Sequence, residues 1–142
     1  MTIKQNIEQV IIWIFVLIWT YTGISKLIDF AGFRGAILNQ PFPNDIGEYL
    51  SILIPIIEVV TAILLINRKT RAIGLIGSVV MLSAFTTYVG LVWVGAFERI
   101  PCGCAGILEL LGWKAHFYLN LSLLILAMIG VLLGFERMKD KG

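Results

Sequence analysis

Four stretches of mostly apolar residues divide this chain, at 7–28, 49–66, 72–97 and 115–135. A helix crossing a bilayer core needs ~20 such residues. Each stretch is therefore long enough to span. Hydrophobic residues make up 58% of the 142 positions and charged ones 14%, where a soluble domain carries about 25% charged residues. Mean hydropathy is +0.91. A small water-soluble core could not bury that much apolar surface. The pattern predicts one all-α domain over 1–142, an integral membrane four-helix bundle. The first stretch resembles a signal peptide, but no small-x-small cleavage site follows it, so it is expected to remain a helix. The net charge of +2 is spread out. No basic stripe points to nucleic acid, and no motif fixes an oligomeric state.

The links differ in kind. "NRKTR" (67–71) reads as a tight basic turn. In the long link 29–48, the first half predicts a short helix at the interface, with Phe30, Phe33 and Ile37 facing lipid. "NQPFPND" then breaks it, because proline fixes φ and removes a donor. The third link, about 98–114, carries both cysteines, Cys102 and Cys104.

Basic residues set the expected topology. Lys4, Arg68, Lys69, Arg71, Arg137, Lys139 and Lys141 fall on one side; Lys26, Arg34, Arg99 and Lys114 fall on the other. Both termini are expected in the cytoplasm. The long link and the cysteine link then share the outer face. In a bacterial inner membrane that face is the oxidising periplasm, where disulfides persist.

Thiols at i and i+2 can meet the distance a disulfide requires, in a small strained ring that is easily reduced. Such a bridge closes almost no loop, so it is a poor staple. Gly103 relaxes the backbone between the thiols, and Pro101 keeps a helix from running into them. Residues 105–112 read as a short helix with Cys104 near its N-terminus, where the dipole favours a thiolate. The pair reads as redox-active, with Cys102 the less encumbered attacker. A structural bridge, half of a zinc site shared across a dimer, and two inert thiols stay open as alternatives. Two thiolates and one histidine leave a single chain short of tetrahedral zinc, so no metal site is expected.

Polar residues inside the spans are the other signal. Thr22, Ser25, Lys26 and Asp29 follow i, i+3, i+4, i+7 spacing and form one stripe facing the bundle or the outer loops. Glu58 lies inside the second span, just past Pro55; an intramembrane carboxylate marks a functional site by default. Lys26 is its expected partner. The pair either ties two helices together or handles protons beneath the thiols. Thr61 shares the face of Glu58 one turn further in. His116 and Asn120 share a face of the fourth span. His116 lies on the side of the thiols, where an imidazole tunes a thiolate or carries a proton. Trp113 and Phe117 read as interfacial aromatics. Gly74, Gly77 and Ser78 read as close-packing positions.

These residues resemble the MauE branch of the DoxX-like membrane proteins. The matching pieces are "YTGISKLIDFAGF", "PIIEVVTAILL", "IPCGCAG" and "GWKAHFYLNLSLLILA". In the family they stand as a Ser/Thr-Gly-x-x-Lys element, a Pro-x-x-Glu element, a Cys-Gly-Cys-x-Gly loop and a Trp-led helix with an asparagine. The likeness runs along nearly the whole chain, and the loop is its most specific part. Where the family usually has an aromatic residue after the second cysteine, this chain has Ala105. The resemblance implies a four-helix membrane protein of extracytoplasmic disulfide chemistry, tied to methylamine utilisation and to a thioredoxin-like partner, MauD. It points to Cys102 and Cys104 first, then to Lys26, Glu58 and Asn120.

The resulting expectation is a membrane thiol:disulfide oxidoreductase. Cys102 and Cys104 exchange disulfides with a periplasmic thioredoxin-like (MauD-like) protein. His116, Glu58 and Lys26 relay protons or tune the thiolates. Thr22, Ser25, Asn120 and Thr61 line a polar bundle site for a quinone, the candidate electron carrier. A non-catalytic membrane anchor or assembly factor for a redox partner, and a small transporter lined by Glu58 and Lys26, are the competing classes.

Overall fold

The computed structural model describes residues 2–98 and 112–140. They form five helices: α1 (Ile3–Ile28), α2 (Phe30–Leu38), α3 (Asn44–Ile66), α4 (Arg71–Trp93) and α5 (Gly112–Lys139). The fold is all-α, and α1, α3, α4 and α5 are each long and apolar enough to span a membrane.

Local chemistry sets the boundaries. At the start of α1, Thr2 and Gln5 form a capping box, with Gln5 N–H donating to Thr2 Oγ1 at 3.4 Å and Thr2 N–H to Gln5 Oε1 at 3.1 Å. That satisfies two of the donors every helix start leaves free. Asp29 does double duty: its N–H donates to Ser25 O, closing α1, and its Oδ1 accepts from Gly32 N–H at 3.2 Å, opening α2. Pro43 at the N-cap lets α3 begin at Asn44, earlier than the apolar run suggested. In the tight basic turn, Thr70 Oγ1 donates to the freed Leu64 carbonyl at 2.9 Å.

The third span ends sooner than hydropathy predicts. Gly95 takes φ +74°, the left-handed region open to glycine. Gly95 N–H donates to Val92 O and Ala96 N–H to Leu91 O, the paired bonds of a Schellman stop. Thus 94–97 leave the helix although they are apolar.

Contacts along the helices give an up-down-up-down bundle. Ile11 of α1 faces Gly130 of α5, and Lys4 meets Glu136, so these two are antiparallel. Arg71 reaches Gln9 and Trp19 reaches Ser78, so α4 runs parallel to α1. Leu65 of α3 faces Gly74 of α4, while Thr61 faces Met81. The start of α1, the α3–α4 turn and the end of α5 form what we call the basal end. The end of α4, the start of α5 and α2 form the apical end.

The core is one stripe per helix. Ile11, Ile12, Phe15, Val16 and Trp19 of α1 pack with Ala62 and Leu65 of α3, Leu75 and Leu82 of α4, and Ala127 of α5. The i, i+3/i+4 repeat places them on one face. Trp19 Nε1 donates to Ser78 Oγ at 2.8 Å, and Ser78 Oγ donates to Gly74 O at 2.9 Å, so these two buried polar groups are satisfied. Ile52, Ile56, Val60 and Ile63 on α3 point outward and stay exposed, as a lipid-facing surface would.

α2 corrects the interfacial expectation. Phe33 and Ile37 are buried rather than lipid-facing, and Phe30 is half-buried. Gly47 allows this, because a Cβ there would lie 3.0 Å from Leu38 Cδ2. Arg34 grips Glu48 through Nε and a second nitrogen, fixing α2 along α3.

Gly74 permits the closest α3–α4 approach: a Cβ would fall 2.8 Å from Leu65 Cγ and 3.0 Å from its backbone nitrogen. At Gly77 the nearest atom is Thr61 Oγ1 at 3.7 Å, an ordinary contact, so Gly77 is not the close-packing position its spacing suggested. Gly74→Val is expected to cost about 1–3 kcal/mol by overpacking. Gly77→Ala is expected to be neutral or slightly stabilising through helix propensity. Thermal unfolding of the detergent-solubilised protein reads both.

Candidate functional site

α1 and α3 meet at Gly23. A side chain there would lie 2.9 Å from Val59 Cγ2 and 3.3 Å from Pro55 O. The missing side chain lets the second helix close in, and Glu58 comes to face α1. Pro55 itself is fully buried at this contact. One turn along α1 from Gly23, Lys26 Nζ lies 3.0 Å from Glu58 Oε1. The Glu58 side chain is 2% exposed and that of Lys26 21%. The ammonium also reaches Thr22 O at 3.4 Å. It lies 5.5 Å from the centre of the Phe33 ring, on the face of α2 that packs inward. An aromatic face attracts a cation electrostatically. Phe33 is thus a lid on the ion pair.

Low dielectric makes the pairing obligatory. A buried charge without its partner is strongly destabilising, whereas the intact pair can be near neutral for stability. Glu58 Oε2 is buried and has no hydrogen-bond partner among the described residues. An ion pair that uses only one carboxylate oxygen leaves the other able to accept a hydrogen bond or a proton.

The other predicted site residues separate. Thr22 is half-buried beside the pair, with its hydroxyl donating to Ile18 O at 2.9 Å. Ser25 is exposed, so the stripe does not face inward as a unit. Asp29 is exposed too and serves as the α2 cap. Thr61 is buried, but its hydroxyl points at Met81 Sδ at 3.7 Å, toward α4 rather than Glu58. His116 is half-buried and stacks on Trp113, ring centres 6.5 Å apart at 18°. No described hydrogen bond or ion pair joins it to Lys26 or Glu58. Asn120 is buried one turn further along α5. Phe117 packs on Trp93 at 5.5 Å and lies close to Gly90, inside the α4–α5 contact. Cys102, Cys104, Gly103, Pro101 and the short helix expected over 105–112, up to its last residue, lie outside the described residues. The segment that carries the thiols joins the apical end of α4 to the apical start of α5.

Sequence reasoning missed polar contacts at both ends of the bundle. At the basal end, Glu8 is 2% exposed. Its Oε1 pairs with Arg137 Nη2 at 3.2 Å, while Arg71 Nη1 donates to Gln9 Oε1 at 3.1 Å. The signal was present, because Glu8 continues the inward face of Ile11, Ile12, Phe15 and Trp19 by helical spacing. At the apical end, the Tyr88 hydroxyl donates to the buried Gln40, which ties the α2–α3 link to α4.

The model of one protein family, Methylamine utilisation protein MauE, matches residues 4–133. No curated relative and no solved structure matches. The family match covers most of the chain, including the Lys26–Glu58 contact and α5 as far as residue 133. The chain belongs to this family.

Lys26→Met strands the Glu58 carboxylate and is expected to cost about 3–5 kcal/mol. Combining it with Glu58→Leu is expected to restore most of that loss, since no charge is then left buried. Denaturation of the single and double variants in detergent measures the coupling; simple additivity of the two losses would contradict a direct pair.

Proposed function

With membership of the MauE family as premise, we propose that this protein is a membrane thiol:disulfide redox protein of methylamine utilisation. Cys102 and Cys104 exchange disulfides with a periplasmic thioredoxin-like partner. The observation that carries the reading is the buried Lys26–Glu58 pair with one free carboxylate oxygen. It sits toward the apical end, the end from which the thiol-bearing segment departs and to which it returns. Disulfide exchange consumes and releases protons. A buried carboxylate with open hydrogen-bonding capacity is suited to handle them.

Sidedness follows from charge. Lys4, Arg68, Lys69, Arg71, Arg137 and Lys139 gather at the basal end, against Lys26, Arg34 and Lys114 toward the apical end. The positive-inside rule supports a cytoplasmic basal end with both termini inside the cell. The apical end then faces the periplasm of a bacterial inner membrane.

In the exchange, the Cys102 thiolate attacks the partner's disulfide. That bond breaks, one partner sulfur leaves as a thiolate, and a mixed disulfide forms. Cys104 then attacks the Cys102 sulfur, releasing the partner as a dithiol and leaving a Cys102–Cys104 disulfide. Two electrons pass to the partner; the reverse sequence oxidises it. A bound quinone couple would supply the two-electron, two-proton chemistry that resets the pair. Lys26 would offer a donor to a quinone carbonyl, and Glu58 Oε2 an acceptor to a quinol hydroxyl. His116 stacks on Trp113 at the start of α5, and in this reading it tunes the thiolates.

Replacing one cysteine at a time, Cys104→Ser and then Cys102→Ser, should trap a mixed disulfide in intact cells. The adduct is expected to contain a thioredoxin-like protein and to disappear on reduction. No adduct with either variant, together with full function of the double serine variant, would overturn the exchange reading in favour of an anchor. Loss of function in Glu58→Gln while that double variant stays active would favour a transporter.

A further inference from the structure

The basal end carries a second buried charge cluster that the thiol chemistry does not use. Glu8 of α1, Arg71 of α4 and Arg137 of α5 line a small cavity there, together with Leu75, Val131 and Gly134. Arg71 is only 6% exposed. Its Nη1 is engaged by Gln9, but its Nε is buried and has no hydrogen-bond partner among the described residues. Glu8 Oε1 lies 3.2 Å from Arg137 Nη2, close enough for an ion pair. That oxygen is nonetheless buried and accepts no hydrogen bond from any described residue. One free donor and one free acceptor thus belong to side chains of the same cavity. Either is costly to leave unmet.

Size and charge narrow the occupant. The space open to the centre of a water molecule is about 10 Å³, room for about one water. An anion there would satisfy Arg71 Nε but meet the Glu8 carboxylate. A cation would satisfy Glu8 but meet two guanidinium groups. Water is neutral, accepts from the one and donates to the other. Gly134 shapes the space. A Cβ there would lie 3.6 Å from Glu8 Oε1, so a bare glycine keeps the approach to that oxygen open. We infer that a single water occupies the cavity between α1, α4 and α5, accepting from Arg71 Nε–H and donating to Glu8 Oε1.

The water closes a network. Arg137 pairs with Glu8, the water joins Glu8 to Arg71, and Arg71 Nη1 returns to Gln9 on α1. Three helices are then held by one polar chain at the basal end. A buried water that meets otherwise unsatisfied groups is part of the structure and costly to remove. The site is independent of the thiol reading and stands or falls separately from it.

Crystallography of the full chain in a lipidic mesophase, at a resolution that shows ordered water, tests the site. One density peak is expected within about 2.7–3.2 Å of both Arg71 Nε and Glu8 Oε1. Gly134→Ala, which sets a methyl group beside Glu8 Oε1, should lose that peak while the helices keep their places. Gly77→Ala, away from the cavity, should retain it. A direct Arg71 Nε–Glu8 Oε1 hydrogen bond with no peak between them overturns the inference. So does a peak that touches only one of the two atoms, which would mark an ion rather than a bridging water. Persistence of the peak in Gly134→Ala, at the same place and strength, also contradicts it. The native structure decides the matter even where Gly134→Ala fails to fold.

Discussion

A carboxylate carried into a membrane on α3 has to meet a cation, and nearly everything at the apical half of this bundle serves that meeting. Lys26 supplies the charge from α1. Gly23, one turn before it, removes the side chain that would hold α1 and α3 apart. Pro55 and Val59 fill the contact that results. α2 folds back so that Phe33 covers the ammonium. Each of these features would be wasteful without the ion pair. With the pair, they bury the Glu58 carboxylate and cover the Lys26 ammonium on one side. A desolvated pair contributes little net stability but makes its own disruption expensive. The apical packing is therefore specified by charge more than by apolar area, which lipid itself could satisfy.

The bundle is framed by charge at both ends. Lys26–Glu58 lies toward the apical end and Glu8–Arg137 at the basal end, with an apolar core between them pinned by the Trp19–Ser78 hydrogen bond. Helices in lipid gain little from the hydrophobic effect between themselves, so close packing and polar contacts fix their partners. Gly74 against Leu65 supplies the packing, and the two charge clusters supply the register. The ends then differ in what they leave free. Glu58 Oε2 is a buried acceptor toward the apical end and Arg71 Nε a buried donor at the basal end, neither with a hydrogen-bond partner among the described residues.

The sequence was most legible where lipid imposes a cost. Span count followed from apolar length, and the Lys26–Glu58 pair followed from the expense of an intramembrane carboxylate. It was least legible where lipid imposes none. Phe33 and Ile37 look the same whether they face acyl chains or a helix, so the inward turn of α2 could not be read from apolarity. The end of α4 was overrun for a related reason. Val94, Ala96 and Phe97 are apolar, and only the left-handed φ of Gly95 stops the helix. Glu8 was passed over because a carboxylate near a terminus, close to Lys4, reads as solvated; its burial depends on α5 extending to Arg137. Thr61 was read on the face of Glu58, yet spacing alone could not tell that its hydroxyl turns to Met81. The stacking of His116 on Trp113 is a side-chain choice that periodicity does not encode.

If the buried pair handles the protons of the thiol chemistry, the redox state of Cys102 and Cys104 must depend on Glu58. The most direct measurement is differential alkylation of the two thiols in intact membranes, followed in time after a pulse of reductant. In the native protein the pair should move to the dithiol and return to the disulfide. In Glu58→Gln the return should slow by about a hundredfold, the scale of a lost general acid or base. Identical return rates in the two proteins, or thiols that never change state in either, would contradict it.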